Sequence, residues 1–215
     1  LRWFTPTTEV DMCGHATLAS AYVLYEELGV QLPELRFYTR SGTLGVSRSD
    51  SGLRMDFPSI ELKPYLGSAE SLQQALGLSN APESIWEADD LVVCMNNYEE
   101  LRMLEPQMNE LVKIKTRGII VTSRASEKGV DFASRFFGPR VGVNEDPVTG
   151  SAHTKLAPFW SKQLNKTRMR AFQASKRGGY LEVECAGDRV IITGKARRFS
   201  RGETNLPQSF ISTQN

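Results

Sequence analysis

The chain has little with which to hold a metal. Its 215 residues include only two histidines, His15 and His153, and three cysteines, Cys13, Cys94 and Cys185. None of the cysteines has a second Cys or a His at zinc-finger spacing, and a zinc site draws its usual shell from such groups. No metal is therefore expected. The cysteines are odd in number and far apart, which excludes a disulfide framework and suits a reducing, cytoplasmic compartment. Long apolar runs are missing as well. The best candidate, residues 16–24, is interrupted by Thr17 and Ser20 and falls well short of the roughly 18 residues a membrane span requires. A soluble chain with no membrane partner is expected. Leu1 opens no charged segment leading into an apolar stretch with a small-residue cleavage site, so no targeting signal is read at this end.

Net charge of one sign is also lacking, since 26 Lys+Arg stand against 25 Asp+Glu. The balance hides an asymmetry. Residues 161–215 carry 11 basic and 4 acidic side chains, leaving 15 and 21 in residues 1–160. A basic quarter of this kind can mark an anion or nucleic-acid surface. No aromatic interleaving or binding motif accompanies it, so it reads as a solvated face and no nucleic-acid partner is expected. What remains, 40% hydrophobic with 24% charged residues, is ordinary globular material and excludes disorder and coiled coil.

Residues 35–57 alternate apolar and polar side chains between the turn-forming pairs Ser41-Gly42 and Ser51-Gly52, the pattern of an antiparallel meander. Ser68 is placed to cap a short helix ending at Gly77, and 78–83 reads as a linker. Strands are then predicted near 91–95, 118–122, 131–137, 169–174, 180–185 and 189–193, with helical material at 98–103 and 106–112. Two further segments are helical: 14–28, apolar almost all round, which reads as a helix buried on every side, and its counterpart 150–164, with Ala152, Leu156, Ala157, Phe159, Trp160 and Leu164, interrupted by Pro158, which should kink it. The fold class is thus α+β, with two similar lobes, each a curved and mostly antiparallel sheet wrapped around a central helix. The first lobe spans 1–82 and the second 83–200; residues 201–215 form a C-terminal segment returning to the first lobe.

The two helices open alike. Glu9-x-Asp11-x-x-Gly14-His15-Ala16 matches Glu145-Asp146-x-x-x-Gly150-Ser151-Ala152 in kind, with Phe4-x-Pro6 ahead of one and Phe137-x-Pro139 ahead of the other. This is an internal repeat at an offset of 136 residues. The second copy has 67 residues ahead of its helix, from Glu83, whereas the first has 13, from Leu1. A faithful repeat predicts that the first lobe lacks about 54 residues at its front, and that one face of its helix and of the strand at Trp3 and Phe4 is uncovered. A homodimer covering that face is expected.

A helix amino terminus offers unpaired N–H groups and the positive end of a dipole, so two such ends facing each other would grip a carboxylate or stabilise an enolate-like charge. Gly14 and Gly150 should let the ligand reach the backbone, with Ala16 and Ala152 completing the N–H sets. His15 can donate or accept near neutral pH; Asp146 and Ser151 can hydrogen-bond a substrate or orient a proton carrier. Cys13 is a possible thiol proton carrier, but Thr149 occupies the matching position in the second copy, so no pair of thiols can act on opposite faces of one carbon. The structural alternative is that Asp11, Asp146 and Thr149 only cap their helices and that Cys13, His15 and His153 are packing residues.

The strings 2–6 (Arg-Trp-Phe-Thr-Pro), 9–19 (from Glu9 through Cys13-Gly14-His15-Ala16 to Ala19) and 145–153 (Glu-Asp-Pro-Val-Thr-Gly-Ser-Ala-His), with Phe57-Pro58-Ser59 and Gln173-Ala174-Ser175-Lys176-Arg177-Gly178-Gly179, closely resemble the PhzF-like isomerases of phenazine biosynthesis. The resemblance runs over essentially the whole chain. It implies a diaminopimelate-epimerase-like fold with the site between the lobes, and cofactor-free acid–base proton transfer on a small carboxylate-bearing metabolite; the family's named member moves a proton along a cyclic dihydro-hydroxy-anthranilate acid. By motif, the family's histidine, aspartate and serine fall on His15, Asp146 and Ser151. Its main base, a glutamate in an Asn-x-Ser-Glu-Thr string, has no match here, and Glu9 belongs to a different motif. The expectation is therefore a PhzF-like isomerase catalysing cofactor-free proton transfer, in a chain that lacks the family's glutamate base, the alternative being a non-catalytic small-anion-binding or protein-interaction module that keeps the fold.

Overall fold

A computed structural model of the chain describes residues 1–5 and 8–203. Pro6 of the first repeat copy and all but the first three residues of the 201–215 segment lie outside the described residues. The strands β1 (Trp3–Phe4) and β2 (Glu9–Val10) pair antiparallel and lead into helix α1 (Gly14–Tyr22), which continues as a π-helical turn over Val23–Glu27. The meander follows as β3 (Glu34–Thr39), β4 (Gly42–Ser49) and β5 (Gly52–Pro58). Beyond β6 (Lys63–Pro64) comes helix α2 (Ala69–Leu76), capped by Ser68 and closed by Gly77 in the left-handed conformation. Then come β7 (Ser84–Glu87), β8 (Leu91–Met95), α3 (Tyr98–Met103), α4 (Met108–Leu111), β9 (Ile119–Arg124), β10 (Phe132–Gly138) and β11 (Val143–Asp146). The chain ends in helix α5 (Gly150–Leu164), β12 (Arg168–Gln173), β13 (Gly179–Ala186) and β14 (Arg189–Gly194).

The strands after β2 join one curved sheet in the order β3-β4-β5-β14-β13-β12-β10-β9-β8-β7-β6, with β11 paired to β10. All pairs are antiparallel except β8–β9 and β10–β12. The meander is stitched to the later strands through β5 and β14, from Leu53 opposite Gly194 to Pro58 opposite Arg189. Residues 59–82 cross to the other side: β6 pairs with β7, and Leu72, Ala75 and Leu76 of α2 pack among Leu91, Val93 and Leu101. Strands β8 to β10 are buried along almost their whole length because both their faces are covered. Val92, Cys94, Ile120, Phe132 and Phe136 face α5, while Leu91, Val93, Ile119, Val121 and Phe137 face α2, α3 and α4.

The two central helices differ in how much of them is covered. Nine residues of α5 are buried, on all sides of its first two turns. Pro158 inside it leaves the Thr154 carbonyl without its helical donor, and the backbone N–H of Ile60 supplies one at 3.1 Å. The expectation that the 14–28 helix is buried on every side is corrected: only Gly14, Thr17, Ala21 and Tyr25 are buried, against β3, β4 and β5. Val23 and Leu28 are 45% and 68% exposed, and Phe4 of β1 is 64% exposed. Three strands shield one side of a helix, not its whole circumference. Residues 196–201 run beside that open side, with Arg198 paired to Glu27 and a groove of about 490 Å³ between them.

Candidate active site

The amino termini of α1 and α5 meet. A Cβ built on Gly14 would lie 2.9 Å from the Cα of Gly150, and one built on Gly150 would lie 2.9 Å from the Cα of Gly14. The glycines therefore serve helix-to-helix approach. Neither amino terminus is capped by a side chain: Cys13 and Thr149 occupy the N-cap positions in extended conformation and make no side-chain cap bond. Among the described residues, no side chain accepts from the first-turn N–H groups of either helix, at 14–16 and 150–152, where such ends ordinarily recruit one.

Around this junction the polar side chains are tied down in a definite pattern. His15 is exposed at the end of α1, yet its Nδ1 lies 3.3 Å from the Val148 carbonyl of the second copy, across 133 residues of sequence. Its Nε2 lies 3.5 Å from the Cys13 sulfur. The Cys13 contact, with the charge of Asp146 and the Val148 carbonyl, outweighs burial and holds the imidazole up at about 9. At neutral pH His15 is a cation beside two helix ends. Cys13 is a free thiol.

Asp146 ends β11 and is half-buried. Its carboxylate accepts a hydrogen bond from the Thr149 hydroxyl at 2.5 Å, so Thr149 orients Asp146 and does not cap α5. The loop between them is clamped by a residue that sequence reasoning gave no role. Gln173, fully buried at the end of β12, accepts from the Thr149 N–H at 2.7 Å and donates to the Asp146 carbonyl at 2.7 Å and to Thr149 Oγ1 at 3.0 Å. Ser175 adds a bond to the Pro147 carbonyl at 2.8 Å. The signal for Gln173 was present: Met169 and Ala171 face inward at period two, which turns the next alternate residue, a glutamine, into the core.

Ser151 lies in the first turn of α5, nearly buried, and its hydroxyl accepts from Arg117 at 3.3 Å. Ala16 and Ala152 follow in the same first turns. The structure thus brings His15, Asp146, Ser151 and Cys13 to one junction. Asp11, the repeat counterpart on the first side, is exposed and only loosely paired with Arg40 at 3.9 Å. Glu9 is occupied by Arg2 and Arg40 at 2.8 and 2.7 Å, and the Arg2 hydrogen bond lowers its pKa, which makes it a poor base. His153 packs behind the first turn: it is fully buried, 2.8 Å from the Thr149 carbonyl, and burial drives its pKa down to about 4.

The sequence of this chain matches the model of the PhzC-PhzF family, described as phenazine biosynthesis-like protein, over residues 1–202. It is 47% identical over 206 residues to an uncharacterized isomerase of Pseudomonas aeruginosa, covering 96% of this chain and 78% of that protein. Its fold is similar to that of a phenazine biosynthesis protein of the PhzF family from Enterococcus faecalis, with a TM-score of 0.88 and 39% identity over 95% of this chain and 77% of that one. A hydroxyproline epimerase from Agrobacterium vitis shares the fold alone, with a TM-score of 0.54 at 12% identity, covering 89% of this chain and 66% of that one.

Proposed function

This chain belongs to the PhzC-PhzF phenazine biosynthesis-like family, and from that premise we propose that the junction of α1 and α5 is a cofactor-free proton-transfer site for a small carboxylate-bearing metabolite. The observation that carries the reading is the meeting of two helix amino termini, without side-chain caps, at Gly14 and Gly150. A substrate carboxylate set against these ends accepts from first-turn N–H groups and gains from both dipoles. The same donors stabilise negative charge that spreads from the carbon losing its proton into the acid group. His15, cationic at neutral pH, is the acid that returns a proton; Asp146, fixed by Thr149, orients the proton carrier; the Ser151 hydroxyl donates to the substrate. A hydroxyl at 149 leaves Cys13 without a thiol partner, so one proton is moved by acid–base relay and no two-thiol racemisation is built here.

A second reading has its own observation. The main base that the resemblance implies sits in an Asn-x-Ser-Glu-Thr string, and the 215 residues contain no such string. On that reading this chain binds the anion and does not turn it over. The test is solvent deuterium exchange into a cyclic or α-hydrogen carboxylic acid, run on this chain and on a version extended upstream with the family's glutamate string. Anion binding by both, with exchange only in the longer version, is the expected outcome. Equal exchange by both assigns the base to His15 or Asp146, and binding by neither removes the site reading. The cytoplasm, a homodimer formed over the open face of α1, and no nucleic-acid partner for the basic quarter belong to the same proposal.

A further inference from the structure

Beneath the first two turns of α5 lies a cluster of charged side chains that the proton-transfer reading does not use. Lys155 and Asp90 are fully buried. Lys155 Nζ contacts Asp89 at 2.8 Å, Asp90 at 2.9 Å and the carbonyl of Ser151 at 3.2 Å. Arg117 bonds Asp90 through Nη2 and sits 3.3 Å from Asp89 through Nε. The same Nη2 donates to Ser151 Oγ at 3.3 Å. Two acids and two bases make the cluster electrically neutral, so its effect on the helix end is one of direction and not of net charge.

We propose that Arg117 is a positioning residue for Ser151, an assignment that rests on reading the helix ends as an anion site. A serine hydroxyl has one proton to donate and two lone pairs to offer, and a guanidinium can only donate. Arg117 therefore fills a lone pair and cannot receive the Ser151 proton. The O–H is turned away from the cluster, and no other partner of Ser151 Oγ occurs among the described residues. The hydroxyl is thereby presented as a donor to an anion at the first turn of α5. Asp89 and Asp90 hold the guanidinium in place, and Lys155 ties both carboxylates to the helix backbone. A lysine at 117 could keep the ion pair with Asp90, but it has one nitrogen where the guanidinium sets Nε beside Asp89 and Nη2 between Asp90 and Ser151.

The probe is benzoate, a small cyclic carboxylate, titrated by calorimetry into this chain and into the variants Arg117→Lys, Arg117→Met, Ser151→Ala and the double variant Arg117→Lys/Ser151→Ala. Ser151→Ala and Arg117→Lys should each weaken binding about tenfold, and the double variant should bind no more weakly than Ser151→Ala alone. Arg117→Met should lose both affinity and stability, since it leaves Asp90 short of a counter-charge. Arg117→Lys should keep its melting temperature, which separates positioning from folding. If the two single losses multiply to about a hundredfold, or if Arg117→Lys binds like the parent, the assignment is overturned while the anion site stands. If the parent chain does not bind benzoate at all, the site reading fails and the assignment goes with it.

Discussion

The two histidines lie in neighbouring surroundings and titrate in opposite directions. His15 is held up at about 9, first by the Cys13 sulfur and then by the charge of Asp146. Its favourable contacts are present below its ordinary pKa near 6.5 and are lost as pH rises through about 9. Carboxylate binding should follow the same course, full at pH 7 and weakened above pH 9. An NMR titration of the His15 ring should give a midpoint near 9 that falls toward 6.5 in Cys13→Ser; a midpoint below 7 in the parent would remove the cation from the site. His153 behaves oppositely, because burial without a counter-charge lowers its pKa to about 4. The unfolded chain takes up its proton near 6.5 and the folded chain does not, so stability falls as pH drops from 6.5 to 4, by up to about 3 kcal/mol. Urea midpoints at pH 7 and pH 4.5 should differ less in His153→Gln than in the parent, whose remaining carboxylates contribute equally to both.

At the scale of elements, the site depends on how closely α1 and α5 meet. A methyl group at position 14 would stand 2.9 Å from the Cα of Gly150, inside any ordinary contact, and only backbone could move to relieve it. Gly14→Ala should therefore cost about 2 kcal/mol and push the helix ends apart. Gly202→Ala, where an added Cβ meets nothing within 4 Å, should change stability by no more than about 0.5 kcal/mol. Equal effects in chemical denaturation would show that the close approach is not under strain. Pro158 illustrates the opposite situation: its missing donor is replaced by the Ile60 N–H, so the interruption of α5 ties the segment after β5 to the helix instead of breaking it.

For the whole molecule, the large sheet joins strands of both repeat copies, but the copies are unequally clothed. The strands from β8 to β14 surround α5, while α1 has strands on one side and the outward residues Val23 and Leu28 on the other. Exposed apolar area costs about 25 cal/mol per Å² relative to burial, and a second copy of the chain is able to cover it. We expect this chain to run as a dimer in gel filtration with light scattering, and Val23→Glu to convert it to monomer. A parent that stays monomeric up to about 100 μM, a concentration at which even an interface of modest affinity is populated, would end that expectation.

The sequence by itself determined most of the elements and where the two central helices open. Alternation and turn pairs between 34 and 58 fixed three strands because each side chain's face follows from its parity along the strand. Ser68 and Gly77 fixed the ends of α2 through local capping that needs no distant partner. The repeat fixed the two helix openings, and with them His15, Asp146 and Ser151. The short strands β2, β6, β7 and β11 escaped, because two to four residues carry too little periodicity to be seen without their partners. Only the tertiary structure decided which faces of α1 are covered, that the glycines face each other, and that Thr149 turns to Asp146 in place of capping α5. It also brought Gln173 to the Asp146 loop, 24 and 27 residues away, and Arg117 to Ser151, 34 residues away. Such contacts depend on which strands lie side by side, and hydrogen-bond partners separated by that much chain leave no local pattern from which their meeting can be read.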